Sequence, residues 1–163
     1  MTKEIIPVFL TIDDGFAKYT SVLIQSLIEN AGENYYKVII VHRGLSEANQ
    51  QKLTQMSTAH VEVETRYLDA DLSGIANREE NYLRLDFFTL SIFYRLFLAD
   101  AFPEYDKAIY IDCDAVVPGN LADLYHMDLG DNLIAAAPDH SIWHVPGMIK
   151  YIEGALGIPY KTY

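Results

Sequence analysis

Two aspartates separated by one residue lie inside an otherwise apolar stretch of the sequence. Asp112 and Asp114 follow the apolar residues 108–111 and precede the apolar residues 115–117. At the end of a strand, side chains two residues apart point to the same side, so both carboxylates can bind one hard cation. We expect the apolar flanks to bury this segment, and two buried carboxylates repel each other unless a positive charge lies between them. The pattern favours a divalent metal site over a pair of exposed aspartates that open a turn.

A second aspartate pair in the chain serves as a comparison. Asp69 and Asp71 have the same spacing, but they open a polar stretch and lack an apolar strand on both sides. We interpret them as the start of an ordinary loop. Cys113, between the first two aspartates, is the single cysteine of the sequence. No intrachain disulfide can therefore form, and its place indicates packing rather than redox chemistry.

Arg95 and the pair Asp13 and Asp14 could contact a ligand. Arg95 lies in the apolar stretch 87–98, an environment that rarely tolerates a charge without a partner. A ligand, an internal aspartate or contact with solvent would each satisfy it, and its position alone does not distinguish them. Asp13 and Asp14 follow the first apolar run, where ligands bind in open α/β sheets. An aspartate that caps the turn between a strand and a helix is a common alternative.

Strands and helices alternate along the sequence and would position these residues. Apolar, β-branched or alternating runs predict strands at 5–12, 37–42, 61–67, 107–112 and 132–137. Helices are predicted at 17–31 with Gly32 as a stop, after the N-cap Ser46, at 87–100 and, in short form, at 121–125. Residues 72–85 predict a long loop, and residues 143–163 predict broken helix and loop. The alternation is typical of an α/β fold with a parallel sheet.

The composition excludes several classes of partner. The chain has 163 residues, of which 50% are hydrophobic, enough for one domain with a buried core. Its net charge of -11 at pH 7 would repel nucleic acids and anionic membrane surfaces. No segment approaches the roughly 20 apolar residues of a membrane span, and the apolar run before Asp13 is too short for a secretory signal. We therefore expect a cytoplasmic protein, and we find no signal for its oligomeric state.

Several motifs together resemble the family 8 retaining glycosyltransferases, which include bacterial lipopolysaccharide galactosyl- and glucosyltransferases and glycogenin. The resemblance extends from Ile6 to about Asp139. It rests on residues 8–14 followed by Tyr19, on residues 44–49, on residues 94–96 and on residues 106–117. It implies an α/β, GT-A-type nucleotide-diphospho-sugar transferase fold with a Rossmann-like, mostly parallel sheet flanked by helices. Residues 1–163 would form a single nucleotide-sugar-binding domain.

The resemblance also implies roles for individual residues. Asp112 and Asp114 would bind Mn2+ or Mg2+ on the diphosphate of a UDP-sugar, and Asp13 would recognise the uracil. Arg95 is similar to an arginine that contacts the donor, and Asp139 resembles an aspartate on the acceptor or sugar side, so these two are the candidate catalytic residues. The residues expected to bind the donor and its metal are Thr11, Asp13, Asp14, Phe16, Tyr19, Arg95, Asp112, Cys113 and Asp114.

The implied reaction is the metal-dependent transfer of a hexose from a UDP-sugar to a saccharide or glycolipid acceptor, such as lipopolysaccharide, with retention of anomeric configuration. Phe16 occupies the position of a base-stacking aromatic, whereas Gly15 departs from the asparagine common in the family. Two alternatives stay open. A haloacid dehalogenase-like phosphatase would use Asp112 as nucleophile and Asp114 as acid, although that motif normally lies near the start of its domain. The other alternative is a UDP-sugar-binding module without turnover.

The resemblance also predicts that the sequence is C-terminally truncated relative to this family. In the family, a further stretch builds much of the acceptor pocket and supplies a histidine as the third protein ligand of the metal. None of the histidines present lies at that late position: His42, His60, His126, His140 and His144. The cation would be left with two carboxylates, phosphate and water. We therefore expect weak UDP binding and little or no transfer.

Overall fold

Four parallel strands form one sheet in the part of the chain that the structure describes. In the computed structural model they are β1 (Ile5–Thr11), β2 (Tyr35–His42), β3 (Val61–Tyr67) and β4 (Ile109–Tyr110), in the spatial order β3-β2-β1-β4. All three strand pairs are parallel. The predicted parallel α/β sheet is therefore confirmed. The fourth strand is shorter than predicted, because only two of its residues pair with β1.

The structure describes residues 3–73, 91–138, 144–154 and 157–159. They fall into two compact units, residues 1–127 and residues 128–163, which we describe separately. The first unit contains the sheet and every predicted site residue except Asp139, which lies outside the described residues. The expectation of one nucleotide-sugar-binding domain over residues 1–163 stays a prediction.

Helices cover both faces of the sheet, because alternate residues of the buried strands point to opposite faces. Val8 and Leu10 of β1 belong to the first hydrophobic cluster, together with residues of the helices α1 (Ala17–Asn30) and α2 (Glu47–Thr54). Phe9 points the other way into a second cluster. Because both faces of the sheet are covered, the strands have continuous apolar runs in their sequence.

Local signals define the ends of the first two helices. Gly32 has a φ of 58°, a left-handed conformation that favours glycine, and it follows the last turn of α1. The side chain of Ser46 accepts a hydrogen bond from the backbone of Asn49 at 3.4 Å, so it caps α2 as predicted. Both predicted helix boundaries are confirmed to within one residue.

The predicted helix at 87–100 is described from Ser91 onward and is interrupted. It consists of α3 (Ser91–Tyr94), a 3-10 helix (Arg95–Phe97) and α4 (Leu98–Ala101). Tyr94, Phe97 and Leu98 pack into the second cluster and so cover the face of the sheet that contains Phe9. Most of the predicted loop at 72–85 lies outside the described residues. The short helix predicted near residue 121 is confirmed as α5 (Leu121–Tyr125).

The second unit corrects one prediction. Residues 132–137 form no strand, and all of them are exposed. Their apolar composition favours a strand only where a neighbour can pair with the backbone and cover the side chains, and the described residues supply no such neighbour. The predicted helix and loop at 143–163 is confirmed in its described part as the helix α6 (Pro146–Gly154). Among the described residues, no helix combines the length and the apolar character needed to cross a membrane.

Candidate functional site

The strand order reverses between β1 and β4. The chain builds β1, then β2 and β3 outward on one side, and β4 on the other side of β1. In open parallel sheets, ligands bind in the crevice beyond the carboxyl ends of the strands at such a reversal. Asp13 follows β1, and Asp112 follows β4. The topology thus places two separately predicted site residues after the carboxyl ends of two adjacent strands.

The segment from Asp112 to Asp114 lies in a turn directly after β4. Pairing with β1 ends with a hydrogen bond from the Ile111 backbone to the Phe9 carbonyl, 3.1 Å, and the Ala115 backbone N–H then donates to the Asp112 carbonyl at 3.2 Å. Cys113 is buried in the first cluster, whereas the side chains of both aspartates are exposed.

This geometry corrects the expectation that the carboxylates are buried. The apolar flanks bury the thiol of Cys113 and not its neighbours, because the chain turns as soon as the strand ends. Repulsion between Asp112 and Asp114 is therefore weakened by water and does not by itself require a cation. The case for a metal depends instead on where the carboxylates lie and on what contacts them.

Asp112 accepts two hydrogen bonds on one oxygen. Its Oδ1 lies 2.9 Å from Nη2 of Arg95 and 3.0 Å from the hydroxyl of Tyr110. The Tyr110 hydroxyl also lies 2.9 Å from Oγ1 of Thr11 on the adjacent strand. The guanidinium of Arg95 lies over the Tyr110 ring, 4.8 Å from its centre. These side chains form one connected group across the reversal between β1 and β4.

The partner of Arg95 differs from the expectation that it faces a donor rather than an aspartate of the protein. Arg95 pairs with Asp112, which is itself a candidate metal ligand. Its Nε also donates to the carbonyl of Ile92 at 3.0 Å. The side chains of Arg95 and Asp112 are 37% and 58% exposed, so the pair is open to solvent and contributes little to stability. The contact places a positive charge at the candidate site.

Burial fixes the protonation of two groups in this region. It raises the pKa of Tyr110 to about 12, so its hydroxyl is protonated at neutral pH. Since Asp112 can only accept, the single proton of Tyr110 goes to Asp112, and Thr11 must donate to Tyr110. Burial, together with the nearby carboxylates, raises the pKa of Cys113 to about 11. The thiol is therefore neutral and buried, which does not suit it to bind a metal.

Asp13 and Asp14 stabilise the chain where it leaves β1. Asp13 is half-buried, and its Oδ1 accepts from the Gly15 backbone at 3.0 Å. Oδ1 of Asp14 accepts from the Ser46 backbone at 2.8 Å and from Nδ2 of Asn49 at 2.9 Å. These hydrogen bonds, that of the Ser46 backbone foremost, lower the pKa of Asp14. Asp14 therefore connects the end of β1 to the start of α2.

Two aromatic residues of the predicted set lie beside this turn. The rings of Phe16 and Tyr19 are 5.7 Å apart and tilted by 50°. Phe16 is half-buried against the first cluster, whereas Tyr19 is exposed. Their roles in binding a nucleotide base stay predictions. The cap geometry also bears on Gly15, since a Cβ at this position would lie 3.3 Å from Oδ1 of Asp13.

Sequence reasoning missed Tyr110 and Asn49, whose side chains hold Asp112 and Asp14. Tyr110 could have been found, because a residue two positions before Asp112 in a strand lies on the same side. No comparable signal exists for Asn49, because it lies 35 residues from its partner.

The donor chemistry of the site fits Mg2+ or Mn2+. Asp112 and Asp114 offer exposed carboxylate oxygens, the ligands that hard divalent cations prefer, and Mg2+ commonly combines one or two carboxylates with substrate phosphates. In the described part of the chain, no group of three or more His, Cys, Asp or Glu side chains could hold a metal ion. The two carboxylates alone fit a cation that would take its other ligands from phosphate and water.

The fold is that of the GT-A-type transferases, a class of α/β proteins. The apo structure of the bifunctional glycosyltransferase WbbM superimposes with a TM-score of 0.74 at 26% identity, covering 94% of this chain and 28% of that one. The galactosyltransferase LgtC, solved with donor and acceptor sugar analogues, has the same fold, with a TM-score of 0.74 at 24% identity over 95% of this chain and 54% of LgtC.

The sequence matches the model of glycosyl transferase family 8 over residues 7–159, and the chain belongs to this family. General stress protein A of Bacillus subtilis (strain 168) is 26% identical over 83% of this chain and 47% of its own length. Glycosyltransferase GlyA of Streptococcus pneumoniae is 51% identical over 49 residues, 30% of this chain and 7% of GlyA. The chain thus spans about half or less of the length of these relatives. Its family excludes the haloacid dehalogenase alternative.

Proposed function

We propose that this chain is the donor-binding part of a retaining glycosyltransferase. It would bind a UDP-sugar through Mn2+ or Mg2+ at Asp112 and Asp114, and the hexose would pass to a saccharide or glycolipid acceptor. The observation that supports this most is the exposed pair Asp112 and Asp114, of which Asp112 contacts Arg95, at the reversal of the strand order in a family 8 fold. Ligands of α/β sheets bind at such a reversal.

Electrostatics makes a cation necessary for a donor of this kind. The chain carries a net charge of -11 at pH 7, and two aspartates lie at the proposed diphosphate position. A diphosphate would be repelled there without a positive charge. A divalent cation, when bound, would act as a Lewis acid that neutralises the charge developing on the leaving diphosphate. Asp112 and Asp114 would hold it, while Arg95 would offer a planar group of donors to phosphate or sugar oxygens.

The remaining residues would bind and orient the donor. Asp13 follows β1, the strand adjacent to the one that Asp112 follows, and would contact the uracil, while Phe16 and Tyr19 would border the base. Asp14 would act indirectly, because both of its hydrogen-bond partners belong to the protein and hold the turn in place. Asp139 is proposed for the sugar or acceptor side on the family resemblance alone, as are a lipopolysaccharide or other glycan acceptor and a cytoplasmic location.

A screen of UDP-sugars tests the proposal. In Mn2+, at least one UDP-hexose should bind or be slowly hydrolysed, and the same donor should be inert when EDTA replaces the metal. Nucleoside diphosphate sugars with other bases should bind more weakly, because the uracil contact at Asp13 is lost. p-Nitrophenyl phosphate, assayed in parallel, should not be hydrolysed. Failure of every UDP-sugar to bind in Mn2+ would reject the proposed function, and binding without hydrolysis would favour a module without turnover.

A further inference from the structure

We infer that Tyr110 is a positioning residue for the metal ligand Asp112. Its hydroxyl, fixed by Thr11 on the neighbouring strand, would decide which oxygen of Asp112 is left for a cation. The inference rests on the proposed function, because it concerns the same cation. It adds a residue to which neither the motif pattern nor the family resemblance gave a role.

The position of the Tyr110 hydroxyl is set by packing. Tyr110 pairs with Phe9 in the sheet, and its ring packs against the second hydrophobic cluster. Thr11 is only 6% exposed, and its hydroxyl lies 2.9 Å from that of Tyr110. A ring anchored at its backbone, along its face and at its hydroxyl cannot move without breaking one of these contacts. Tyr110 therefore presents its proton to Asp112 from a fixed point.

This arrangement determines how the Asp112 carboxylate is oriented. Oδ1 accepts from both Tyr110 and Arg95, and a carboxylate oxygen has two lone pairs for such contacts. Among the described residues, no group donates to Oδ2 of Asp112. Oδ2 is therefore the oxygen that would face a cation. Since the Asp112 side chain is 58% exposed, it would rotate freely about its terminal bond if these two donors were absent.

Tyr110 contributes more to this orientation than Arg95. The arginine is a long side chain that is 37% exposed, and exposed ion pairs fix geometry weakly. Arg95 would also have to serve the donor, whereas Tyr110 lies beneath its guanidinium, with its hydroxyl engaged by both Thr11 and Asp112. Residues that orient a metal ligand typically change metal affinity by about 10- to 100-fold when they are removed.

The test compares two tyrosine-to-phenylalanine variants. Tyr110→Phe removes the hydroxyl that contacts Asp112. Tyr105→Phe is the matched control, because Tyr105 packs against the same cluster and its hydroxyl makes no hydrogen bond within the described residues. Mn2+ affinity in the presence of UDP would be measured by electron paramagnetic resonance, which separates free from bound Mn2+, and thermal unfolding would be followed without metal. We expect Tyr110→Phe to weaken Mn2+ binding about tenfold or more and to broaden the bound signal, and Tyr105→Phe to change neither.

A second pair of variants keeps the inference testable if Tyr110→Phe folds poorly. Thr11→Val removes the anchor of the tyrosine hydroxyl and should weaken Mn2+ binding in the same direction but less, while Thr11→Ser, which keeps the hydroxyl, should bind Mn2+ more tightly than Thr11→Val. Wild-type Mn2+ affinity in Tyr110→Phe or in Thr11→Val would overturn the positioning role and leave the proposed function intact. If the wild-type protein itself binds no Mn2+ with UDP, the proposed function fails and this inference fails with it.

Discussion

Two segments with the same aspartate spacing follow two strands of the same sheet, and they differ in nearly every contact. After β3, the side chain of Asp71 accepts from the Ser73 backbone at 2.9 Å, a local contact typical of the start of a loop. After β4, Asp112 is held by Arg95, 17 residues away in the sequence, and by Tyr110. The hydrogen bond of Asp71 is local, whereas Asp112 accepts from a residue of a separate helical segment.

The position of each strand in the sheet explains the difference. Both strands lie at an end of the described sheet, but β3 has β2 as its neighbour, whereas β4 lies beside β1, where the strand order reverses. At the reversal, the ends of β1 and β4 lie side by side, and the 3-10 helix Arg95–Phe97 contributes an arginine to them. The bare spacing of two aspartates therefore predicts little, and the spacing combined with the sheet order predicts a binding site.

The largest expected effect separates the two pairs directly. Asp112→Asn and Asp114→Asn should each reduce Mn2+-dependent UDP binding by at least about 100-fold, because even residues that only orient a ligand change metal affinity 10- to 100-fold. Asp69→Asn and Asp71→Asn remove the same charge from the other pair and should leave binding within about twofold of wild type. Titration calorimetry measures all four, and equal losses at the two pairs would refute the assignment.

Substitutions of the middle residues of the two segments should differ in their effect on the stability of the protein. Cys113 is 9% exposed and packs in the first cluster, whereas Ala70 is only half-buried. Cys113→Ser places a hydroxyl in an apolar site and should lower the free energy of unfolding by about 1–3 kcal/mol. Ala70→Ser should cost less than about 1 kcal/mol, because its hydroxyl can reach water. Urea denaturation distinguishes the two, and a cost at Ala70 as large as that at Cys113 would contradict the packing described.

Substitution of Arg95 separates its contribution to donor binding from its contribution to stability. Arg95→Lys keeps the charge but loses the planar donor geometry, so UDP-sugar affinity should fall about tenfold, or 1.4 kcal/mol. Stability should change by less than about 1 kcal/mol, because the ion pair with Asp112 is open to solvent. Binding isotherms for UDP-sugar in Mn2+ give the affinity, and thermal unfolding gives the change in stability. Unchanged affinity in Arg95→Lys would remove this residue from the donor site.

The smallest expected effect concerns the pH dependence of stability at Asp71. The hydrogen bond from the Ser73 backbone, and then that from the Ser73 hydroxyl, lower the pKa of Asp71 in the folded protein. The lowered pKa contributes stability that is present above the unfolded value of about 3.9 and is lost as the pH falls through the folded pKa. Asp71→Asn should therefore make unfolding slightly less sensitive to pH below about 4. The free energy of unfolding of both proteins would be measured by denaturation at several pH values. If it falls equally in wild type and Asp71→Asn as the pH decreases, the contact is not maintained in solution.

The sheet was predictable from the sequence because its signals are local. The apolar runs of β1 and β2, the stop at Gly32 and the cap at Ser46 each depend on a few neighbouring residues, and all are found in the structure. The carboxylate pair was also recognisable, since its spacing and its apolar flanks lie within one short segment of the sequence.

The failures depend on contacts between distant residues. Residues 132–137 have the composition of a strand, but the described residues offer no partner for it. The partner of Arg95, the exposure of Asp112 and the anchoring of Tyr110 by Thr11 all follow from how β1, β4 and the helical segment meet. The residue pattern of a single segment cannot specify contacts between elements that are distant in the sequence.

The most direct test of the central claim is a calorimetric titration of UDP into the wild-type protein, once in Mn2+ and once in EDTA. The proposed site predicts measurable binding in Mn2+ and none in EDTA, because without the cation the diphosphate would meet Asp112 and Asp114 unshielded. Binding of equal affinity in both buffers would contradict a metal-bridged donor site at this end of β4.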